Sequence, residues 1–220
     1  MKYLLVEGIT DVALIKYICV QKGITKKFND FQSETHRSSE FETYRYNDLH
    51  IINIKGQNKL ERALELLIKP IEIKIDKLAI LQDADNDFIS SLKSIEDAIR
   101  NTQLDKSKIE IFLTPNHQGL GDLETLLLST LEQDKISQLV CFKEYENCLQ
   151  QHIDVSTKAM DKARLYAYTM FAKEGKDNYT PQNSFMYKQN KSYRDTGLWN
   201  IEHPNFKRIV DFVVKVFGNP

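Results

Sequence analysis

Short apolar runs alternate along the chain with segments whose apolar residues recur every three or four positions. The short runs predict buried β-strands, and the three-to-four spacing predicts helices. Strands are predicted at 2–6, 50–54, 77–81 and 109–113. Helices are predicted after the first three of these strands, at 11–21, 60–68 and 88–99. This alternation is typical of an α/β protein with a parallel sheet.

The second half of the chain has helical spacing. Helices are predicted at 123–131, 135–150, 157–171 and 206–217, the last with an N-cap at Asn205. We therefore predict an α/β domain over 1–133 with about four strands, and a helical C-terminal extension over 134–220 that packs on it. Residues 24–48 are polar and aromatic without a clear period, and they predict an insertion loop between the first and second strands.

Size and charge narrow the function classes. The chain has 220 residues, 41% of them hydrophobic, and a formal net charge of -1. A chain of this length can form one sizeable domain. Its net charge is close to zero, so the charge of the whole protein does not indicate a polyanionic partner. Locally, however, residues 155–194 carry eight Lys or Arg against three acids, a net charge of +5. This basic flank could contact nucleic acid.

Cysteine usage and hydropathy point to the cytoplasm. The three cysteines have no CxxC spacing, which argues against both a disulfide framework and a zinc site. The N-terminal apolar run is too short for a signal peptide, and the sequence contains no long uncharged apolar segment. We expect a cytoplasmic protein without a membrane partner.

Acidic residues follow the predicted strands. Glu7 ends the first strand, and Asp11 lies one turn into the next helix. Asp83 and Asp85 follow the third strand, and residues 122 and 124 are acidic after the fourth. Function in open parallel sheets gathers at the carboxyl ends of the strands. Since residues i and i+2 of an extended segment point the same way, the DxD pair can face one site.

Converging carboxylates repel one another, and a divalent cation relieves that repulsion. Mg2+ and Mn2+ prefer carboxylate oxygen, and two such ions can clamp the attacking and leaving oxygens of a phosphodiester. Structural roles compete with this interpretation. Asp87 and Asp122 fit helix N-caps, and Asp11 could complement a helix dipole. Glu7 is harder to explain structurally, because a carboxylate ending a buried strand is costly unless it is paired or metal-bound.

Two segments resemble the motifs of TOPRIM domains. LLVEGITDVALI, residues 4–15, resembles the strand, Glu-Gly and helix of the first motif, and LAILQDADND, residues 78–87, resembles the DxD motif. With Asp11 and GDLE at 121–124, the sequence is most similar to the overcoming-lysogenization-defect (OLD) type of TOPRIM nuclease, and to small stand-alone TOPRIM-like proteins. The motifs span about residues 2–128.

The resemblance implies a TOPRIM-like sheet and hydrolysis of phosphodiester bonds in DNA, or less readily in RNA, with Mg2+ or Mn2+. It implies that Glu7, Asp83 and Asp85 bind the principal metal and act in catalysis. Asp11 and Glu124 would assist a second metal. Lys162 would stabilise charge on the reacting phosphate or help position water, although it could equally be a surface lysine whose stem packs along the protein. Defence against phage or mobile DNA is the process that the resemblance suggests.

The basic flank could supply phosphate contacts and base stacking. Its candidate phosphate-binding residues are Lys158, Lys162, Arg164, Lys188, Lys191 and Arg194. The tyrosines that could stack on unpaired bases are Tyr166, Tyr168, Tyr179, Tyr187 and Tyr193. The first two of these tyrosines could instead be core residues of a helix.

The sequence departs from OLD proteins in one respect. It has no GxxxxGK[ST] phosphate loop, so any ATPase must come from another polypeptide. Two alternatives stay open beside a DNA nuclease. One is a small TOPRIM ribonuclease that matures structured RNA. The other is a non-catalytic TOPRIM scaffold that binds an ATPase partner or nucleic acid through the same surface.

Overall fold

Four adjacent parallel strands, one of them at the edge, form most of the sheet in the computed structural model of the protein. The structure describes residues 1–34, 40–68, 74–102, 104–133, 136–171 and 199–218. Its strands are β1 Lys2–Val6, β2 Gln32–Ser33, β3 Glu42–Tyr46, β4 Leu49–Asn53, β5 Lys77–Asp83 and β6 Ile109–Thr114. They are ordered β2-β3-β4-β1-β5-β6, with β4, β1, β5 and β6 parallel. The four strands predicted from apolar runs are present, each within two residues of the predicted bounds.

The predicted total of about four strands was wrong, because two more strands lie within residues 24–48. β3 pairs antiparallel with β4 across a turn at Asn47, where φ is 52°. β2 pairs antiparallel with β3 at the edge of the sheet. Every residue of β3 is at least partly exposed, so its sequence lacks the apolar run that marks a buried strand. The insertion is thus the mixed edge of the sheet rather than a loop alone.

The helices match the predicted ones within two residues at each end. They are α1 Ile9–Gln21, α2 Leu60–Ile68, α3 Phe88–Arg100, α4 Leu123–Ser129, α5 Ser137–Leu149, α6 Thr157–Phe171 and α7 Pro204–Phe217. The predicted cap at Asn205 was wrong: His203 is the N-cap of α7, and its Nδ1 accepts a hydrogen bond from the Asn205 amide at 3.2 Å. None of the helices in the described ranges is long and apolar enough to cross a membrane.

Helices cover both faces of the sheet. On β1, Leu4 and Val6 point into the core that α1, α4 and α7 share, whereas Tyr3 and Leu5 point into the core of α2 and α3. Such two-sided burial explains why the parallel strands are apolar without alternation. The helix α7 buries seven of its residues, so it is part of the main core. This arrangement leaves the carboxyl edge of the parallel strands to carry polar groups.

A short backbone bridge fixes the loops at that edge. The Asp85 amide donates to the Gly121 carbonyl at 2.7 Å, and the Gly121 amide donates to the Asp85 carbonyl at 2.8 Å. Gly121 has φ +128°, and a Cβ there would lie 2.7 Å from the Oγ1 of Thr125. The bridge thus depends on glycine at this position, both for its backbone conformation and for space.

We expect Gly121→Ala to destabilise the protein by roughly 3 kcal/mol, because backbone strain and a steric clash add together. Gly23→Ala is the matched control: φ there is +69°, but no atom lies within 4 Å of the added Cβ. It should cost only about 1 kcal/mol. Urea unfolding of both variants measures the difference. Equal losses would show that the contact with Thr125 carries no energy.

Candidate functional site

Six carboxylates converge at the carboxyl edge of the sheet, and we call this cluster the acidic edge. Its members are Glu7, Asp11, Asp83, Asp85, Asp122 and Glu124. β1 and β5 are parallel neighbours with Val6 opposite Leu81, so Glu7 follows β1 close to the end of β5. The structure therefore brings all five residues proposed as metal ligands, and the cap residue Asp122, to one edge.

Asp83 is the best-anchored member of the acidic edge. Its Oδ1 accepts hydrogen bonds from the Thr114 hydroxyl at 2.6 Å and from the Leu123 amide at 3.2 Å. The Thr114 bond favours the charged carboxylate, but burial and the charges of Glu7 and Asp122 outweigh it. These effects raise the pKa of Asp83 to about 7. Two neighbouring elements, β6 and α4, thus hold this oxygen toward the site.

One oxygen of Glu7 is buried and accepts no hydrogen bond from any residue that the structure describes. This oxygen is Oε2. Burial raises the pKa of Glu7, and a hydrogen bond from Gln57 opposes the shift. The same Gln57 amide donates to Asp85 Oδ2 at 2.8 Å, so it links the two acidic motifs. Sequence reasoning did not identify Gln57; the only signal was its position just after the strand that neighbours β1.

Asp11 and Glu124 line the acidic edge from two helix N-termini. Asp11 Oδ2 accepts from the Gly8 amide at 2.8 Å, so it helps to cap α1 as the structural interpretation suggested. Burial, with the charge of Asp83 next, nevertheless raises the pKa of Asp11 well above its ordinary value. Burial and the charge of Asp122 raise the pKa of Glu124. The fold thus holds the carboxyl groups of Asp11 and Glu124 in surroundings that disfavour their charged form.

The two predicted N-caps are confirmed, with different consequences. Asp87 caps α3 by accepting from the Ser90 amide at 2.9 Å. Asp122 caps α4 by accepting from the Thr125 amide through Oδ1, also at 2.9 Å. The other oxygen of Asp122 lies 3.8 Å from the Nζ of Lys158. Asp122 therefore caps a helix and borders the site at once.

Lys158 supplies a positive charge within the acidic edge. Its Nζ donates to Asp85 Oδ1 at 2.6 Å and lies 3.8 Å from Asp83 Oδ2. Burial disfavours the charged ammonium, but the hydrogen bond to Asp85 and the neighbouring carboxylates outweigh it and raise the pKa of Lys158. Lys162, one turn along α6, lies 3.9 Å from Glu124 Oε1. The structure thus places Lys158, rather than Lys162, beside the DxD pair.

The carboxylates of Asp83 and Asp85 come together through a backbone conformation that the sequence did not predict. They were expected to point the same way from an extended segment, but Asp85 has φ +50°. The left-handed backbone at Asp85 and its bridge to Gly121 set its direction instead. Both carboxylates still face the same ammonium, that of Lys158.

Two other residues of the basic flank have partners within the protein, and most of the remaining candidates lie outside the described residues. Arg164 is held by Glu146 at 2.5 Å and by Asp161 at 3.0 Å. Tyr168 packs edge-on against Trp199, with ring centroids 5.6 Å apart. Lys188, Lys191 and Arg194, with Tyr179, Tyr187 and Tyr193, lie outside the described residues.

The donor set suits a hard divalent cation. In the ranges that the structure describes, no three acidic, His or Cys side chains already form a metal-binding group. Several carboxylates are nevertheless buried together, one oxygen of Glu7 accepts no hydrogen bond from the described part of the chain, and Lys158 provides the cation among them. Zinc is disfavoured at the nearby histidine, because His117 Nδ1 accepts from the Leu113 amide and its ring stacks on Phe112. Carboxylate oxygens of this kind favour Mg2+ or Mn2+.

Comparisons with known proteins identify a family but no activity. The crystal structure of hypothetical protein PH0156 from Pyrococcus horikoshii OT3 is similar, with a TM-score of 0.52 and 13% identity. The match covers 99% of this chain and 95% of that chain, and it shows a shared fold. No curated protein matches the sequence. A family model described as "Protein of unknown function (DUF3226)" matches residues 1–218, and the chain therefore belongs to that family.

Proposed function

We propose that this protein is a divalent-metal-dependent nuclease of TOPRIM type that hydrolyses phosphodiester bonds in DNA rather than RNA. The observation that carries the proposal is the buried acidic edge, where Glu7 and Asp83 both have a raised pKa beside Asp85. Burying carboxylates together is unfavourable unless a cation compensates. A role in binding a metal explains this unfavourable burial better than a role in stabilising the fold does.

The topology supports the TOPRIM assignment. The Glu-Gly motif ends β1, and the DxD motif ends β5, the parallel neighbour of β1. The two motifs lie about 76 residues apart in the chain, yet the sheet brings them to one edge. This shared edge is what a metal site held by both motifs would require.

The residues have separate roles in this proposal. Glu7, Asp83 and Asp85 would hold the principal Mg2+ or Mn2+, and Asp11 and Glu124 would help to hold a second. Such ions lower the pKa of water and stabilise negative charge on a phosphodiester. Thr114 would orient Asp83, as it does in the structure by its 2.6 Å hydrogen bond.

Lys158 and Lys162 would bind the phosphate. They lie one turn apart on α6 and contact opposite parts of the acidic edge, Asp85 and Glu124. With a metal held by the DxD pair, Lys158 would turn from Asp85 toward a phosphate oxygen. Its ammonium would then be the counter-ion of the metal-free protein and a phosphate ligand in the complex.

The compartment and the target of the proposed enzyme are also taken from the resemblance to OLD-type nucleases. A nuclease of this type would act in the cytoplasm against phage or mobile DNA. These 220 residues contain no phosphate loop, and a separately encoded ATPase is the partner that we propose.

A non-catalytic scaffold is the second candidate, and Lys158 favours it. Its ammonium already lies within 4 Å of three carboxylates, which is one way to stabilise the cluster without metal. A scaffold would bind an ATPase partner or nucleic acid and show no turnover with any divalent metal. A ribonuclease would instead cut structured RNA faster than single-stranded or duplex DNA.

We expect Glu7→Gln to lower metal-stimulated cleavage by about a hundredfold or more, because it removes one metal ligand. The variant should remain folded, and in chelator its melting temperature should equal or exceed that of the wild type, since a buried charge is lost. Glu96→Gln, at an exposed position, is the control. Cleavage by Glu7→Gln at the wild-type rate would refute the assignment.

We expect Lys158→Met to bind Mn2+ more tightly by a factor on the order of ten, because the competing charge beside Asp85 is removed. Cleavage should fall all the same, through loss of the phosphate contact. Lys162→Met, whose ammonium lies near Glu124 alone among these acids, should change Mn2+ affinity less. Calorimetric titration and a cleavage assay separate the two effects. Unchanged Mn2+ affinity in Lys158→Met would show that this lysine does not compete with metal.

The raised pKa of Asp83, about 7 against an ordinary 3.8, predicts a pH dependence of stability without metal. Between these values the folded protein binds more protons than the unfolded chain, so the free energy of unfolding falls as pH rises from about 4 to about 7. Urea unfolding in chelator at several pH values measures this slope. In Asp83→Asn, the free energy of unfolding should depend less on pH over this range. An equal slope in the variant would show that Asp83 does not cause the pH dependence.

A further inference from the structure

A cavity lies beside the acidic edge, between the loop that follows β6 and the start of α7. Its volume is about 410 Å3, within the range of roughly 300–1,000 Å3 that is common for small-ligand pockets. Residues of the 115–120 loop, of α4 and of α7 line it. None of the proposed metal ligands is among them, so the metal chemistry gives this cavity no role.

The cavity borders the acidic edge through two contacts. Thr125 lines it, and the Thr125 hydroxyl donates to Asp122 Oδ1 at 2.9 Å. Leu120 also lines it and is followed by Gly121, whose backbone is bonded to that of Asp85. Consecutive Cα atoms are about 3.8 Å apart, so those of Leu120 and Asp122 are separated by at most about 7.6 Å. A strand held at the carboxylates could therefore reach the cavity with its next few nucleotides.

Arg208 brings a positive charge to this cavity. The residue is exposed, and one guanidinium nitrogen donates to the Asn116 carbonyl at 3.0 Å. A neutral carbonyl does not cancel the charge, and a guanidinium has five N–H donors. In the part of the chain that the structure describes, no carboxylate forms an ion pair with Arg208; Asp211, the acid of α7, is held by Lys207 at 2.8 Å. A phosphate that enters the cavity thus meets an exposed guanidinium with donors to spare.

Leu120 adds an exposed apolar surface to the same cavity. It is 60% exposed, and covering it with a ligand would remove apolar area from water. Pro204, also exposed, lines the cavity with it, and the exposed Gln118 contributes an amide that can donate or accept. A cation beside an apolar surface suits a nucleotide, which has a charged phosphate and apolar faces on its sugar and base. A free inorganic anion would use the guanidinium alone.

We propose that this cavity binds a nucleotide beside the cleaved bond, with Arg208 on its phosphate and Leu120 against its sugar and base. The identity of the ligand as substrate rests on the proposed nuclease function. A base in a duplex is stacked on its neighbours and would have to leave the stack to contact Leu120, which costs free energy. Single strands, overhangs and flaps are thus the substrates that fit.

Binding can be tested without cleavage, in chelator, by fluorescence anisotropy of a labelled 12-nucleotide single strand at several KCl concentrations. Arg208→Met should weaken binding roughly tenfold, because a hydrogen bond between charged groups is lost. It should also reduce the slope of log K against log [KCl] by about 0.7, the share of one phosphate contact in a single strand. Arg208→Lys keeps the charge and should keep the slope. The control is Lys207→Met, which removes the neighbouring cation of α7 and should leave affinity and slope unchanged.

Leu120→Ala tests the apolar contact. It should weaken binding of the single strand by roughly fivefold with an unchanged slope, since it removes apolar surface and no charge. Binding of a 12-base-pair duplex should change less, because stacked bases do not reach the side chain. Ile153→Ala, at an apolar residue that is 51% exposed and does not line the cavity, is the control. Melting temperatures verify that each variant is folded.

A second measurement on the wild type needs no variant. Hydrogen–deuterium exchange of the backbone amides is compared with and without the single strand. Slower exchange over residues 115–122 in the complex is the expected result. Unchanged exchange there in the bound protein, or unchanged affinity in both Arg208→Met and Leu120→Ala, would overturn the proposal. So would an Arg208→Met variant that binds more weakly with the wild-type slope, because its arginine would then support the loop and not contact a phosphate.

The two proposals fail in different ways. If the wild type shows no metal-stimulated cleavage while binding still depends on Arg208 and Leu120, the nuclease proposal fails and the nucleotide site stands. If the wild type cleaves DNA and binding is independent of both residues, the nucleotide site fails and the nuclease stands. Absence of both cleavage and single-strand binding would refute both.

Discussion

Repulsion among buried carboxylates is the constraint on which this site depends. Burial is the largest cause of the raised pKa values of Glu7, Asp11, Asp83 and Glu124, and the charges of neighbouring acids add to each. Either protonation or a nearby cation relieves such a cluster. In this structure Lys158 provides one, at 2.6 Å from Asp85. Lys162 lies 3.9 Å from Glu124, yet the pKa values of Glu7, Asp11 and Glu124 all stay raised, so the two lysines balance the cluster only in part.

The fold serves this arrangement by aligning strand ends. Parallel pairing of β1 with β5 and of β5 with β6 brings three loops to one edge, and the bridge between Asp85 and Gly121 ties two of them together. The helix α7 packs in the main core against the sheet that carries those loops. The antiparallel strands β2 and β3 extend the sheet on the other side, away from the ends of β5 and β6.

Local signals in the sequence predicted much of the fold. Buried parallel strands are apolar on both faces, and the caps Asp87 and Asp122 act through neighbouring amides, so both features are visible in short windows. β3 was missed because an exposed edge strand has no apolar run. The position of Lys158 was missed because its contact with Asp85 spans 73 residues and depends on how α6 packs. The direction of Asp85 depends on a positive φ, which no residue pattern in this segment indicates.

A crystal soaked in Mn2+ tests the central claim most directly, because anomalous scattering locates the metal without reference to activity. We expect one or two peaks between Glu7, Asp83 and Asp85, with the ammonium of Lys158 displaced from Asp85. A well-ordered acidic edge with no anomalous peak, and with Lys158 still bonded to Asp85 at millimolar Mn2+, would contradict a metal-dependent enzyme and would favour the scaffold.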